Sequence, residues 1–188
     1  YLNESYVTDR SFRLKFLRCD QFNVQVAAQR IVKHFEIKRE LFGEKSLARP
    51  LRMSDLNEDD LVVLNSGLFH LQPTRDVAGR LVMVFDPGLR PNLSISNIVR
   101  STWYLFDSLS RDESYQQKGI VVITLGIENG FRNLTFTGMN RFARARAGMP
   151  RKIASVHCCF DNPVWRPVVA SIRLVARRDT RNRFIAHF

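Results

Sequence analysis

Gly148-Met149-Pro150-Arg151-Lys152-Ile153-Ala154-Ser155-Val156-His157-Cys158-Cys159-Phe160-Asp161-Asn162-Pro163 decides how the rest of the chain is read. The short apolar run up to Phe160, opened by turn residues, predicts a buried strand. Asn162 predicts a helix cap, and Pro163 suits the first helical position, where its missing N–H costs nothing. From Val164 to Arg178, apolar residues at 164, 168, 172 and 175 form one helical stripe, with Arg166, Arg173 and Arg177 opposite. Arg183 to Phe188 predicts a closing strand. Strand, basic amphipathic helix, strand is the pattern of a right-handed crossover unit. An arginine face of that kind suits anionic phosphates, on a membrane or on a nucleic acid.

Upstream, residues 1–10 read as a frayed lead-in and Ser11 to Cys19 as a short helix. Asn23 caps a long helix from Val24 to Phe42, with an expected apolar stripe of Val24, Ala27, Ala28, Ile31, Phe35 and Leu41, and Gly43 at its end. Asn57 and the acids after it open a short helix to Leu64. Leu68–Leu71 and Arg80–Asp86 predict an antiparallel hairpin. A helix follows from Ser94 or Ser96 to Arg111, and Gly119–Leu125, apolar on both faces, predicts a central strand. One basic helix is expected around Met139 to Ala147. Helices first, then alternating strands and helices, argue for an α/β fold: a helical N-terminal region, 1–66, docked on an α/β region, 67–188, with a mixed sheet of about five strands.

The net charge of +11 is unevenly placed. Residues 131–188 hold twelve Lys/Arg against Asp161 and Asp179; residues 1–130 hold seventeen bases and sixteen acids. That asymmetry predicts attraction of an anionic partner to the C-terminal part. The three cysteines, Cys19, Cys158 and Cys159, imply no disulfide framework and point to a reducing compartment. No apolar run approaches the roughly 20 residues of a membrane span. The chain opens on Tyr1 and stops inside a predicted strand, so a fragment lacking a C-terminal piece is expected.

Arg13-Leu14-Lys15-Phe16-Leu17-Arg18-Cys19-Asp20-Gln21-Phe22-Asn23-Val24, followed by Ala27-Ala28, resembles the N-terminal helical motif of the CRAL-TRIO (Sec14-like) lipid-binding family. Asp76-Val77-Ala78-Gly79-Arg80, Gly119 before its apolar strand, Met149-Pro150 before the strand with His157, Asn162-Pro163 and Arg183-Phe184-Ile185-Ala186-His187 fit the same family in order. The resemblance implies a protein that holds one lipid, a phospholipid or other hydrophobic molecule, and moves it between membranes without catalysis and without a cofactor. The helix after Asn162-Pro163 would be the gate over an apolar pocket. Two departures stand out. The segment Glu128–Gly148 is short for the family, and Arg151 stands where members that bind phosphatidylinositol carry an acid. Lys152 and Arg183 match basic positions by which relatives dock on phosphoinositide membranes.

A pocket needs apolar walls and a movable lid. Expected walls are Val99, Thr102, Trp103 and Phe106 on one helix and Ile120, Val122 and Thr124 on one strand. Ile153, Val156 and Cys158 come from the next strand, and Val168, Val169 and Ile172 from the gate. Each of these can equally belong to a closed core. Expected headgroup or membrane contacts are Lys152, Arg173, Arg177 and Arg183. Pro167 reads as a hinge or as a tolerated first-turn proline.

Other readings find less in the sequence. Trp165 or Phe142 can stack on bases, making nucleic-acid binding by the basic C-terminal face the alternative, but no zinc-finger, RRM or helix-turn-helix pattern appears. His157, Cys159 and His187 can share a sheet face, yet their spacing matches no standard zinc pattern, so no metal is expected. Gly126-Ile127-Glu128-Asn129-Gly130 follows a strand but lacks the phosphate-loop pattern, and no nucleophile–His–acid set stands out. The expectation is a monomeric, non-enzymatic, cytoplasmic protein that associates peripherally with anionic membranes.

Overall fold

The computed structural model describes residues 3–125, 136–167, 169, 170 and 182–188. Five strands form one mixed sheet in sequence order. β1 (Phe69–Leu71) runs antiparallel to β2 (Leu81–Phe85). β3 (Ile120–Thr124), β4 (Ile153–Cys159) and β5 (Phe184–His187) continue in parallel. A register shift between Ile120 and Val121 places Val122 opposite Val156 and Thr124 opposite Cys158.

The helices begin where side chains can cap them. α1 (Glu4–Thr8) replaces the expected frayed lead-in, because the Asn3 side chain accepts from Ser5 N and Asp9 then caps α2 (Arg10–Cys19) through Phe12 N. α3 (Val24–Phe42) starts at Asn23, whose side chain accepts from Val26 N, and ends at Gly43 with φ +77°. In α4 (Glu58–Asn65), Asn57 and Asp60 satisfy each other's backbone N–H groups. Asp60 also takes Arg100 Nε at 2.8 Å and Asn97 Nδ2 at 3.0 Å, tying α4 to α5 (Ile95–Leu109). α6 (Glu113–Lys118), capped by Asp112, precedes β3, and α7 (Phe136–Gly148) precedes β4.

The main core lies on one face of the sheet. Leu81 and Met83 of β2 and Ile120 of β3 meet Val99, Trp103 and Phe106 of α5, together with Ile37 of α3 and Ala145 at the end of α7. Alternate strand residues share a face, which is why 81 and 83 arrive together. The N-terminal helices add an aromatic cluster in which Phe12 lies 5.1 Å from Phe16 and 5.5 Å from Phe35.

α3 packs Ala27, Ile31, Phe35 and Leu41 of the apolar stripe expected of it against the cores, and buries two polar residues besides. Ala27, His34, Ile37 and Lys38 are buried, whereas Val24 is 66% exposed and Ala28 is also exposed. The reason is that α3 packs against α7 and against α2 and must present His34 and Lys38 inward. Each finds a carbonyl there: Gly148 O lies 3.1 Å from His34 Nδ1, and Arg49 O accepts from Lys38 Nζ at 2.6 Å. Among the described residues, no helix is long and apolar enough to cross a membrane.

Candidate functional site: an apolar cavity edged by arginine

A cavity of about 460 Å³ lies on the core face of the sheet. Its strand side is built from Phe69, Met83, Phe85, Val122, Val156 and Phe184, one or two residues from every strand. Ile153, at the start of β4, also lines it. Thr102 and Phe106 of α5 and Phe142 of α7 face it from the helices. Phe69 stacks on Phe85 with centroids 5.3 Å apart, so that end of the cavity is aromatic. The Thr102 hydroxyl donates to Ile98 O at 2.6 Å, which hides its polarity within its own helix and leaves its methyl for the lining.

Arg146, Arg151 and Arg183 complete the lining. Arg146 lies in the last turn of α7, Arg151 between α7 and β4, and Arg183 next to β5. Arg183 Nη1 donates to Ile153 O at 3.1 Å. The Arg151 guanidinium lies 5.7 Å from the Phe106 ring centroid, and its buried Nε has no hydrogen-bond partner. Burial, reinforced by the nearby charge of Arg146, pushes Arg151 down to about 10. Cys19 Sγ donates to Arg151 O at 3.2 Å and fixes this corner to α2.

Of the walls expected from sequence, Thr102, Phe106, Val122, Ile153 and Val156 come together at this cavity. Val99, Trp103 and Ile120 pack in the main core behind it. Thr124 is buried at the end of β3 and hydrogen-bonds Cys158, whose thiol burial pushes up to about 11. Cys158 and Val169 join Phe160, Trp165 and Ala186 in a separate cluster at the β4–β5 edge. The turn Pro163–Trp165, capped by Asn162, leads into helical residues 166, 167, 169 and 170. Val168, Ile172, Arg173 and Arg177 lie outside the described residues, as does the rest of the expected gate beyond residue 170. Lys152 sits away from the cavity, its Nζ donating to Gln117 O at 2.5 Å.

Sequence reasoning did not select Phe69, Met83, Phe85, Phe142 or Phe184, nor Arg146 and Arg151 as lining residues. The available signal was alternation: Leu81, Met83 and Phe85 share the face that meets the helices. At the sheet edge, His157 Nδ1 and His187 Nε2 are 3.0 Å apart with rings stacked. Among the described residues, no group of three His, Cys, Asp or Glu side chains is placed to hold a metal ion.

No family model matches the sequence. The Mus musculus protein named alpha-tocopherol transfer protein-like is 25% identical over 193 aligned positions that take in all of this chain. The Homo sapiens and Pongo abelii proteins of the same name are each 24% identical over the same extent. The chain spans about half the length of these curated relatives, 54%. The crystal structure of Sfh5 matches with a TM-score of 0.52 at 15% identity, over 94% of this chain and 63% of Sfh5. That last likeness is one of fold.

Proposed function

We propose that this chain, which has the CRAL-TRIO (Sec14-like) fold, holds one hydrophobic molecule in the cavity between its sheet and helices α5 and α7 and delivers it between membranes. The observation that carries the reading is the apolar cavity of about 460 Å³ to which all five strands contribute. Tight packing is the rule in protein interiors, and space of this size lined by Phe, Val and Met is the ordinary form of a ligand site. Each buried methylene of a guest contributes about 0.8 kcal/mol, so a long chain supplies on the order of 10 kcal/mol before the costs of association. Relatives named as transfer proteins support the same reading. In this reading residues 67–188 are the binding unit and 1–66 a helical support. Lys152, Arg173, Arg177 and Arg183 belong to a basic face that docks the chain peripherally on anionic membranes, and no catalytic step is involved.

The test is what the purified chain carries. Native mass spectrometry and organic extraction are expected to find one hydrophobic molecule per chain. Val122→Phe, which fills the cavity from β3, is expected to lower that occupancy at least tenfold while the protein stays folded. An empty protein that also fails to take up or transfer any hydrophobic probe between vesicles overturns the reading.

A further inference from the structure

The apolar cavity is not the only recess that Arg146, Arg151 and Arg183 line. The same three side chains line a second recess of about 390 Å³ formed with Cys19, Asp20, Gln21, Arg30 and Met149. They therefore stand between a greasy space and a polar one. The polar recess holds one carboxylate, Asp20, and Arg30 already engages it through Nε and Nη2, each at 2.7 Å. Among the described residues, no carboxylate pairs with Arg146, Arg151 or Arg183. Arg146 makes no hydrogen bond there either, and Arg151 keeps a buried Nε without an acceptor. The Arg146 and Arg151 guanidinium groups repel each other, and the burial of Arg151 sharpens that repulsion. The arrangement is favourable when an anion sits among them, because charge-assisted bonds from arginine to a carboxylate or phosphate are the strong ones.

The apolar side limits what can be attached to that anion. A methylene group takes up about the volume of one water in the liquid, about 30 Å³. The 460 Å³ cavity thus has room for roughly fifteen such groups, the size of one long chain.

Resting on the reading that the cavity holds a hydrophobic ligand, we infer that this ligand is a single-chain amphiphile with an anionic end, a carboxylate or a phosphate monoester. Its chain lies against Met83, Val122 and Phe184, and its anion sits among Arg146, Arg151 and Arg183. The arginines set polarity and orientation, with the head at the junction of the two recesses and the tail toward Phe69 and Phe85. A neutral chain of equal length forfeits the charge-assisted bonds and leaves the three cations uncompensated.

The experiment measures binding of oleate, oleyl phosphate, oleyl alcohol and inorganic phosphate to the full chain, stripped of retained ligand on a hydrophobic resin. Oleate or oleyl phosphate is expected to bind at least tenfold more tightly than oleyl alcohol, and the tighter of the two names the anion. Arg146→Gln, at an exposed side chain that leaves the fold intact, is expected to bring that ratio at least threefold closer to one; Arg151→Gln is expected to do so more strongly. Oleyl alcohol binding as tightly as both anions overturns the inference and leaves the hydrophobic-ligand reading standing. Inorganic phosphate binding as tightly as oleyl phosphate overturns it too, since the chain then plays no part. A ratio unmoved in both variants overturns the assignment to these arginines. Failure of all three oleyl compounds to bind overturns the inference and the reading beneath it together.

Discussion

His34 Nδ1 lies 3.1 Å from the carbonyl oxygen of Gly148, a contact that joins the middle of α3 to the last residue of α7. Gly148 allows that approach: a Cβ there would come within 2.9 Å of Lys33 O and 3.0 Å of His34 Cα. The carbonyl accepts, so the proton is on Nδ1, and Nε2 is buried without a partner. The ring packs 5.3 Å from Trp103 and 5.2 Å from Phe16.

Burial, with the charges of Lys15 and Lys38 nearby, pushes His34 down to about 3. The folded value lies below the unfolded one near 6.5, so the unfolded chain binds the extra proton. His34 therefore contributes stability that is present above about pH 6.5 and is lost as pH falls toward 3, at about 1.4 kcal/mol per pH unit. Urea unfolding is expected to show a loss of roughly 2–3 kcal/mol between pH 6.5 and 4.5. His34→Gln is expected to flatten that slope; an unchanged slope in the variant would assign it to other groups. Asp107, held at about 2 because Lys15, His34, Arg111 and Lys38 outweigh the opposing effect of burial, stays ionised across this window.

Lys15 and Asp107 form another tie between the N-terminal helices and the core, with Nζ 3.3 Å from Oδ1 and both side chains nearly fully buried. Ser110 Oγ lies 3.4 Å from the same ammonium, and Arg111 reaches Asp107 Oδ2 at 3.0 Å. Removing one partner of a buried pair leaves a buried charge poorly compensated, and typically costs about 3 kcal/mol or more. Lys15→Met is expected to cost about 3 kcal/mol, and Lys15→Met with Asp107→Leu clearly less than the sum of the single changes. A double-mutant cycle in urea measures the coupling, and strict additivity would show that the pair does not act as a unit.

Two glycines separate backbone strain from crowding. Gly43 and Gly119 have φ of +77° and +80° with ψ of 173° and −169°, a backbone region used almost only by glycine and costing other residues about 1–3 kcal/mol. A Cβ on Gly43 meets nothing within 4 Å, whereas on Gly119 it would sit 2.7 Å from Lys152 O. That carbonyl accepts from Ile120 N at 2.9 Å and opens the β3–β4 pairing. Gly119→Ala is expected to lower the melting temperature by several degrees more than Gly43→Ala, at roughly 2–4 °C per kcal/mol for a chain of this size. Equal shifts would mean that the strand start gives way without cost.

The docking face is tested with charge reversal. Lys152→Glu with Arg183→Glu is expected to weaken binding to vesicles containing phosphatidylserine at least tenfold, since each basic residue near such a surface contributes about 1 kcal/mol. Binding to neutral phosphatidylcholine vesicles should not change. Equal loss on both would contradict the docking role, and tight, salt-sensitive oligonucleotide binding without vesicle binding would favour the nucleic-acid alternative. Lys152 Nζ is engaged by Gln117 O and Arg183 by Ile153 O, so both variants also need a check of the fold by circular dichroism.

Local chemistry alone settled much of this protein. Asn23 and Gly43 bound α3 in the sequence as they do in the structure, Ser94 caps α5, and the two-faced apolar run at Ile120–Thr124 is the central strand. These signals act between residues a few positions apart, so a linear reading recovers them. That α3 also buries His34 and Lys38 was decided elsewhere: Gly148, far along the chain, and Arg49, beyond the end of the helix, offer carbonyls to them. The cavity was decided the same way. It is space left between a sheet and two helices, and no side chain encodes a space by itself. Nor does the sequence say that Arg146, Arg151 and Arg183 meet at its edge. That meeting requires α7, β4 and β5 to stand side by side, which only the packing of the whole chain brings about.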